Sequence, residues 1–152
     1  NPVISSLINI FYNPIILPTI VAYVASIFLK IIYESISKKH LSIGAGFQDG
    51  GMPSSHTAAV VGLSTSILLQ EGLSTAFWVS LVFATVVMKD AIGVRWETGQ
   101  QAKAINEIMK RLRMRKVLEE DLKELLGHTE AQVLGGFIVG VIFAYIGRIA
   151  FF

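Results

Sequence analysis

The run Ala131–Phe152 reads AQVLGGFIVGVIFAYIGRIAFF and carries only Gln132 and Arg148 as strongly polar residues. About 20 apolar residues suffice to span a bilayer. Two earlier runs share this character. Ile15–Tyr33 is interrupted only by Pro18, Thr19, Ser26 and Lys30, and Ala76–Met88 only by Ser80 and Thr85. Pro53–Gln70 is shorter and richer in Ser and Thr, which suits a helix buried in protein rather than one facing lipid. The expected fold is all-α: a polytopic membrane helical bundle of about four transmembrane helices, forming a single domain over residues 1–152. The stretch Val3–Phe11 is too short to span and is expected to lie in the interface or to re-enter.

Composition agrees. The chain is 53% hydrophobic and 16% charged, against about 25% charged in soluble domains, and its mean hydropathy is +0.60. It has no cysteine, which removes disulfides and thiolate metal sites. A net charge of +2 is too small to imply a nucleic-acid partner. The stretch that follows Asn1 lacks the basic n-region of a signal peptide.

Lysine and arginine orient the bundle. Lys38 and Lys39 follow the first helix, and Glu71–Ser74, between the second and third, carries no basic residue. Arg95–Gly127 carries eight: Arg95, Lys103, Lys110, Arg111, Arg113, Arg115, Lys116 and Lys123. Both basic links are therefore expected in the cytoplasm and both termini outside, with Arg148 snorkelling near the outer end. Residues 94–127 are expected to form a cytoplasmic amphipathic helical link. Ile105, Ile108, Met109 and Leu112 keep helical spacing, as do Val117, Leu118, Leu122 and Leu125. This link reads as a solvated helical hairpin, or as a surface for anionic lipid through Arg111, Arg113, Arg115 and Lys116.

Small residues recur every four positions at Ser54, Ala58, Gly62 and Ser66, and again at Gly136, Gly140 and Ala144. Such rows let helix backbones approach closely in lipid. They predict contact between the second and fourth membrane helices. Four short helices are also compatible with a homodimer.

Ionisable groups near a membrane are costly unless paired, which makes them functional candidates. They fall in three segments: Ser54-Ser55-His56; Lys89-Asp90 with Arg95; and Gly127-His128-Thr129-Glu130-Ala131-Gln132. The topology puts all three at the cytoplasmic end. In Gly50-Gly51-Met52-Pro53-Ser54-Ser55-His56-Thr57, Pro53 suits the first helical position, and the free N–H groups beyond it form either an anion site or a polar cap. Two histidines, an arginine and two helix N-termini suit phosphoryl transfer. One imidazole attacks phosphorus, the other protonates the leaving oxygen, and arginine with backbone N–H groups holds the remaining oxygens. No metal or cofactor is required. A metal site from His56, His128 and Asp90 is the rival, without a supporting ligand spacing. A serine hydrolase is disfavoured, since Ser54 and Ser55 lie outside any G-x-S-x-G elbow.

At these residues the chain resembles the divergent branch of the type 2 phosphatidic acid phosphatases, a superfamily that includes vanadium-dependent haloperoxidases. Pro53-Ser54-Ser55-His56 resembles its Pro-Ser-Gly-His motif, with Ser55 in place of glycine. The segment from Gly127 to Gly136 resembles the end of its distal histidine motif. The divergent branch is similar in Gly50–His56 and in Asp90-Ala91-Ile92-Gly93-Val94-Arg95, followed by Gly99, Gln101, Ala102 and Asn106. The resemblance implies His128 as nucleophile and His56 as general acid. Arg95 would bind phosphate, and Ser54, Ser55, Asp90 and Lys39 would line the substrate site. Two departures stand out. The lysine-arginine motif is not legible, although Lys38 or Lys39 stands nearby. Gln132 occupies the position of the acid that orients the nucleophile; it can accept a hydrogen bond but supplies no charge. Glu130 lies on another helical face. The implied activity is a membrane-integral lipid phosphate or pyrophosphate phosphatase acting at the cytoplasmic leaflet, with phosphatidylglycerophosphate and polyprenyl pyrophosphate as substrates to consider. The alternatives are a catalytically weak or inactive lipid-phosphate-binding protein and, lacking broken-helix signals, a small transporter.

Overall fold

The computed structural model describes residues 12–47, 50–111 and 128–152, with side chains at all of these but 45, 47, 95 and 96. The stretch Val3–Phe11 and the basic residues Arg113, Arg115, Lys116 and Lys123 lie outside the described residues. Those described form helices α1 (Ile16–Lys38), α2 (Ser55–Glu71), α3 (Thr75–Ile92), α4 (Val94–Arg111) and α5 (Glu130–Phe151), with a 3-10 turn at Ile43–Phe47. Three segments are long and apolar enough to cross a membrane: Ile16–Lys38, Thr75–Arg111, whose apolar part is α3, and Glu130–Phe151. The expected count was about four. The difference is α2, which is 17 residues long and packs against α1, α3 and α5.

Local sequence sets each helix end. Asn13 Oδ1 accepts from the N–H groups of Ile15 and Ile16, at 2.9 and 3.2 Å, and opens α1. Lys39, in the left-handed region at φ 55°, closes α1 by donating its N–H to the Ile36 carbonyl. Pro53, expected as the first helical residue, instead precedes the cap. Ser54 is the N-cap of α2, and its Oγ accepts from the Thr57 N–H at 3.3 Å. A proline has no side-chain acceptor for the free N–H groups of a first turn, whereas serine has one. Ser74 caps α3 in the same way, and Thr129 caps α5.

The small-residue rows meet as expected. A Cβ on Gly136 would collide with the Ser54 carbonyl, and one on Gly140 would lie 2.9 Å from the Ala58 carbonyl. Gly62 faces the Gly140 carbonyl and also Ala22 of α1. Two buried hydroxyls of α2 are satisfied without water. Ser66 Oγ donates to the Gly62 carbonyl at 2.7 Å and Ser64 Oγ to the Val60 carbonyl at 3.1 Å, each satisfied within its own helix. The outward faces of α1, α3 and α5 are large and apolar, with Phe28, Trp78, Val82 and Ile149 all exposed. Against lipid such exposure carries no hydration cost.

Candidate functional site

Helix ends leave N–H and C=O groups without intrahelical partners, and here those groups tie three helices together. The Ser54 N–H donates to the Gln132 carbonyl at 3.0 Å, and the His128 N–H donates to the Ala91 carbonyl at 3.0 Å. The start of α2, the end of α3 and the start of α5 thus meet at one end of the bundle. The convergence expected from topology is present.

A cavity of about 370 Å³ opens there, lined by His56, Val86, Val87, Asp90, Ala91 and His128. Four of these residues come from one face of α3, because positions 86, 87, 90 and 91 repeat at the spacing of three and four that aligns side chains on a helix. The imidazole centroids of His56 and His128 are 6.4 Å apart with their planes at 84°. The two rings differ in setting. His128 is 3% exposed, at the buried wall, whereas His56 is exposed. A cavity with one buried and one solvated imidazole suits a reaction needing a shielded nucleophile and a proton donor in contact with solvent.

The other residues singled out by sequence go elsewhere. Ser54 is fully buried, and its Oγ also accepts from Thr57 Oγ1 at 3.0 Å. With its N–H on Gln132, it serves the α2–α5 seam rather than the cavity. Ser55 is buried beside it and does not line the cavity. Lys39 is exposed at the α1 terminus, and Lys38 pairs with Glu34 at 2.9 Å; neither lines the cavity. The backbone of Arg95 sits in the first turn of α4, just after Gly93, and its side chain is outside the described set. Gln132, expected beside the His128 ring, takes a different role. Its Oε1 accepts from the Thr129 N–H at 3.1 Å, while Thr129 Oγ1 accepts from the Gln132 N–H at 3.3 Å. This reciprocal capping box directs the amide oxygen to the backbone of the helix start. Glu130 is exposed.

One residue was missed by the sequence reading. Lys30 is only 2% exposed and packs under the turn that leads into α2. A Cβ on Gly51 would lie 2.8 Å from Lys30 Cε and 3.2 Å from Glu34 Oε1. Gly51 also has φ +83°, so both its conformation and the lysine below it require glycine. A lysine inside an apolar run is itself a signal at membrane depth, but read along the chain it passes for an interruption.

Among the described residues, no group of three or more His, Asp or Glu side chains lies close enough to hold a metal ion. The rival cluster of His56, His128 and Asp90 shares a cavity without forming such a group.

Comparison with known proteins adds to this geometry. A family model described as "Divergent PAP2 family" matches residues 11–143. The "Uncharacterized membrane protein YuiD" of Bacillus subtilis (strain 168) is 35% identical, over 84% of this chain and 89% of its own length. No solved structure matches significantly.

Proposed function

This chain belongs to the divergent PAP2 family of membrane proteins, and we propose that it is a metal-independent lipid phosphate or pyrophosphate phosphatase with a histidine nucleophile. The observation that carries this reading is the pair of imidazoles 6.4 Å apart on one cavity. A phosphoryl group seated there brings phosphorus within about 3–3.5 Å of one ring nitrogen. The leaving oxygen then falls within about 2.6–3.2 Å of the other ring. His128 attacks, forming the N–P bond as the bond from phosphorus to the lipid oxygen breaks, and His56 gives its proton to that oxygen. Water then attacks phosphorus while His56 takes its proton, the N–P bond breaks, and inorganic phosphate leaves. Arg95 would hold the non-bridging oxygens.

Lipid substrates are favoured by the cavity's outer wall, where Val86 is exposed on the apolar face of α3. The cavity lies at the end of the bundle that carries Lys38 and Lys39, which supports a cytoplasmic opening by the basic-residue rule. Single cysteines at positions 40 and 116 are expected to label from the cytoplasm, and at 72 and 152 from the other side. Labelling of 72 and 116 from one side would refute that orientation.

A second reading is favoured by Gln132, whose amide is engaged in the capping box: a lipid-phosphate binder that retains the pocket without turnover. Purified protein in lipid nanodiscs, given a panel of lipid phosphates and diphosphates, separates the two. Release of inorganic phosphate is the expected result. Saturable binding without release would select the binder.

A further inference from the structure

We propose that Asp90 is the carboxylate that orients and charges the imidazole pair, the task the sequence pattern assigns to position 132. The catalytic part of this inference rests on the phosphatase reading; the electrostatic part does not.

An attacking imidazole needs an acceptor on its second nitrogen to fix the tautomer, and a negative charge to support the cation that forms. Gln132 supplies neither from where it lies. Its acceptor oxygen is engaged by the Thr129 N–H at 3.1 Å, and it is not among the residues lining the cavity. Asp90 is. Of the six lining residues it is the acid, and it shares the cavity with both histidines. Its position is set by more than its own rotamer. The next residue, Ala91, accepts the His128 N–H at 3.0 Å, which pins the end of α3 to the start of α5. Asp90 shares a helical face with Val86, Val87 and Ala91, so the helix presents it to the cavity as part of a fixed surface.

Charge decides between the two tasks open to Asp90. As a ligand of phosphate, an ionised carboxylate would repel the substrate. Beside an imidazole it favours the cation that forms as the ring attacks phosphorus. No bond to Asp90 forms or breaks in this role.

The titratable groups that line the cavity come from three elements, and Lys30 and Glu34 of α1 lie beneath the turn that leads into α2. His56 comes from α2, His128 from the start of α5, and Asp90 from α3. Lys89 of α3, Glu130 of α5 and Glu97 of α4 are exposed, and Arg95 enters α4 nearby. The positive ends of the α2 and α5 dipoles oppose imidazolium formation, while the negative end of α3 favours it.

The test uses the whole chain in nanodiscs with nitrogen-15-labelled histidine. The chain has three histidines, and exposed His40, whose Nδ1 lies 3.0 Å from the Lys38 carbonyl, serves as the internal control. Removing a neighbouring carboxylate lowers a histidine titration midpoint. Asp90→Asn is therefore expected to lower the midpoint of His56 or His128 by about one pH unit, with His40 unmoved and Asp90→Glu close to the parent. Turnover by Asp90→Asn should fall by about 10²-fold or more with KM nearly unchanged. The high-pH limb of its kcat profile should move to lower pH, because the proton-donating imidazole loses its proton sooner. If Asp90→Asn does not fold, Asp90→Ser is read in the same way. A folded neutral variant with both cavity midpoints unchanged overturns the proposal. The titration needs no turnover, so a parent chain that releases no phosphate sinks the phosphatase reading while the midpoints still decide the role of Asp90.

Discussion

Two regions one turn apart in the same motif behave oppositely. Along the α2–α5 seam, Ser54, Ala58, Gly136 and Gly140 are buried with backbones in contact, and no added atom fits. At the cavity, two residues past Ser54, His56 is exposed and faces open space shared with His128 and Asp90. Both regions start from helix N-termini with the same free N–H groups. The seam engages them in caps and interhelix bonds, and the cavity keeps its side chains available for chemistry. Substitutions should therefore divide cleanly: those at the seam change folding, and those at the cavity change rate.

The largest effect is expected at the cavity. His128→Ala should lower phosphate release by about 10⁴-fold or more in protein that still folds, so the loss of rate far exceeds the loss of stability expected from truncating a buried ring. Parallel assays of release and thermal unfolding check this. His56→Ala should lower kcat by about 10²–10⁴-fold through lost proton donation. A substrate with a more acidic leaving group should recover part of that loss.

The seam should respond in the opposite way. Gly136→Ala places a methyl against the Ser54 carbonyl and 2.9 Å from Thr57 Cβ. Overpacking of this kind costs about 1–3 kcal/mol, and it should appear as reduced thermal stability in nanodiscs. Any folded fraction should keep a near-parental rate per molecule. A variant with full stability but lost activity would erase the division between seam and cavity.

Much of this arrangement was legible in the sequence, for physical reasons. Helix backbones that touch demand small residues at a fixed spacing, so the seam could be read from Ser54, Ala58, Gly62 and Gly136, Gly140, Ala144 alone. The meeting of His56, Asp90 and His128 followed from alternating helix direction. What escaped were side-chain commitments that depend on a neighbour in space. Lys30 lies about two turns before the C-terminal end of α1, and only the returning Gly50-Gly51 turn reveals why a buried lysine is there. Gln132 is different. Thr129-x-x-Gln132 is a capping-box pattern visible in the sequence, but the pull of the family motif favoured a partner in the site over one in the backbone.

That correction reverses one expectation. A position beside His128 would make Gln132→Glu raise the rate. In the capping box a glutamate at this place serves the Thr129 N–H equally well and adds a favourable charge at a helix N-terminus, about 0.3–1 kcal/mol. Gln132→Glu should therefore be neutral or slightly stabilising, with phosphate release within about 2-fold of the parent across pH 5–9. A markedly faster variant would show that position 132 reaches the imidazole after all.

The central claim is that His128 carries the phosphoryl group, and covalent trapping tests it most directly. The protein would be mixed with a radiolabelled lipid phosphate, quenched in alkali during turnover and digested, and the labelled peptide sequenced by mass spectrometry. The account predicts a phosphoryl group on His128 that is absent in His128→Ala and accumulates when His56 is replaced and an acidic leaving group is used. Steady phosphate release with no label on His128, or with the label on His56, would contradict it.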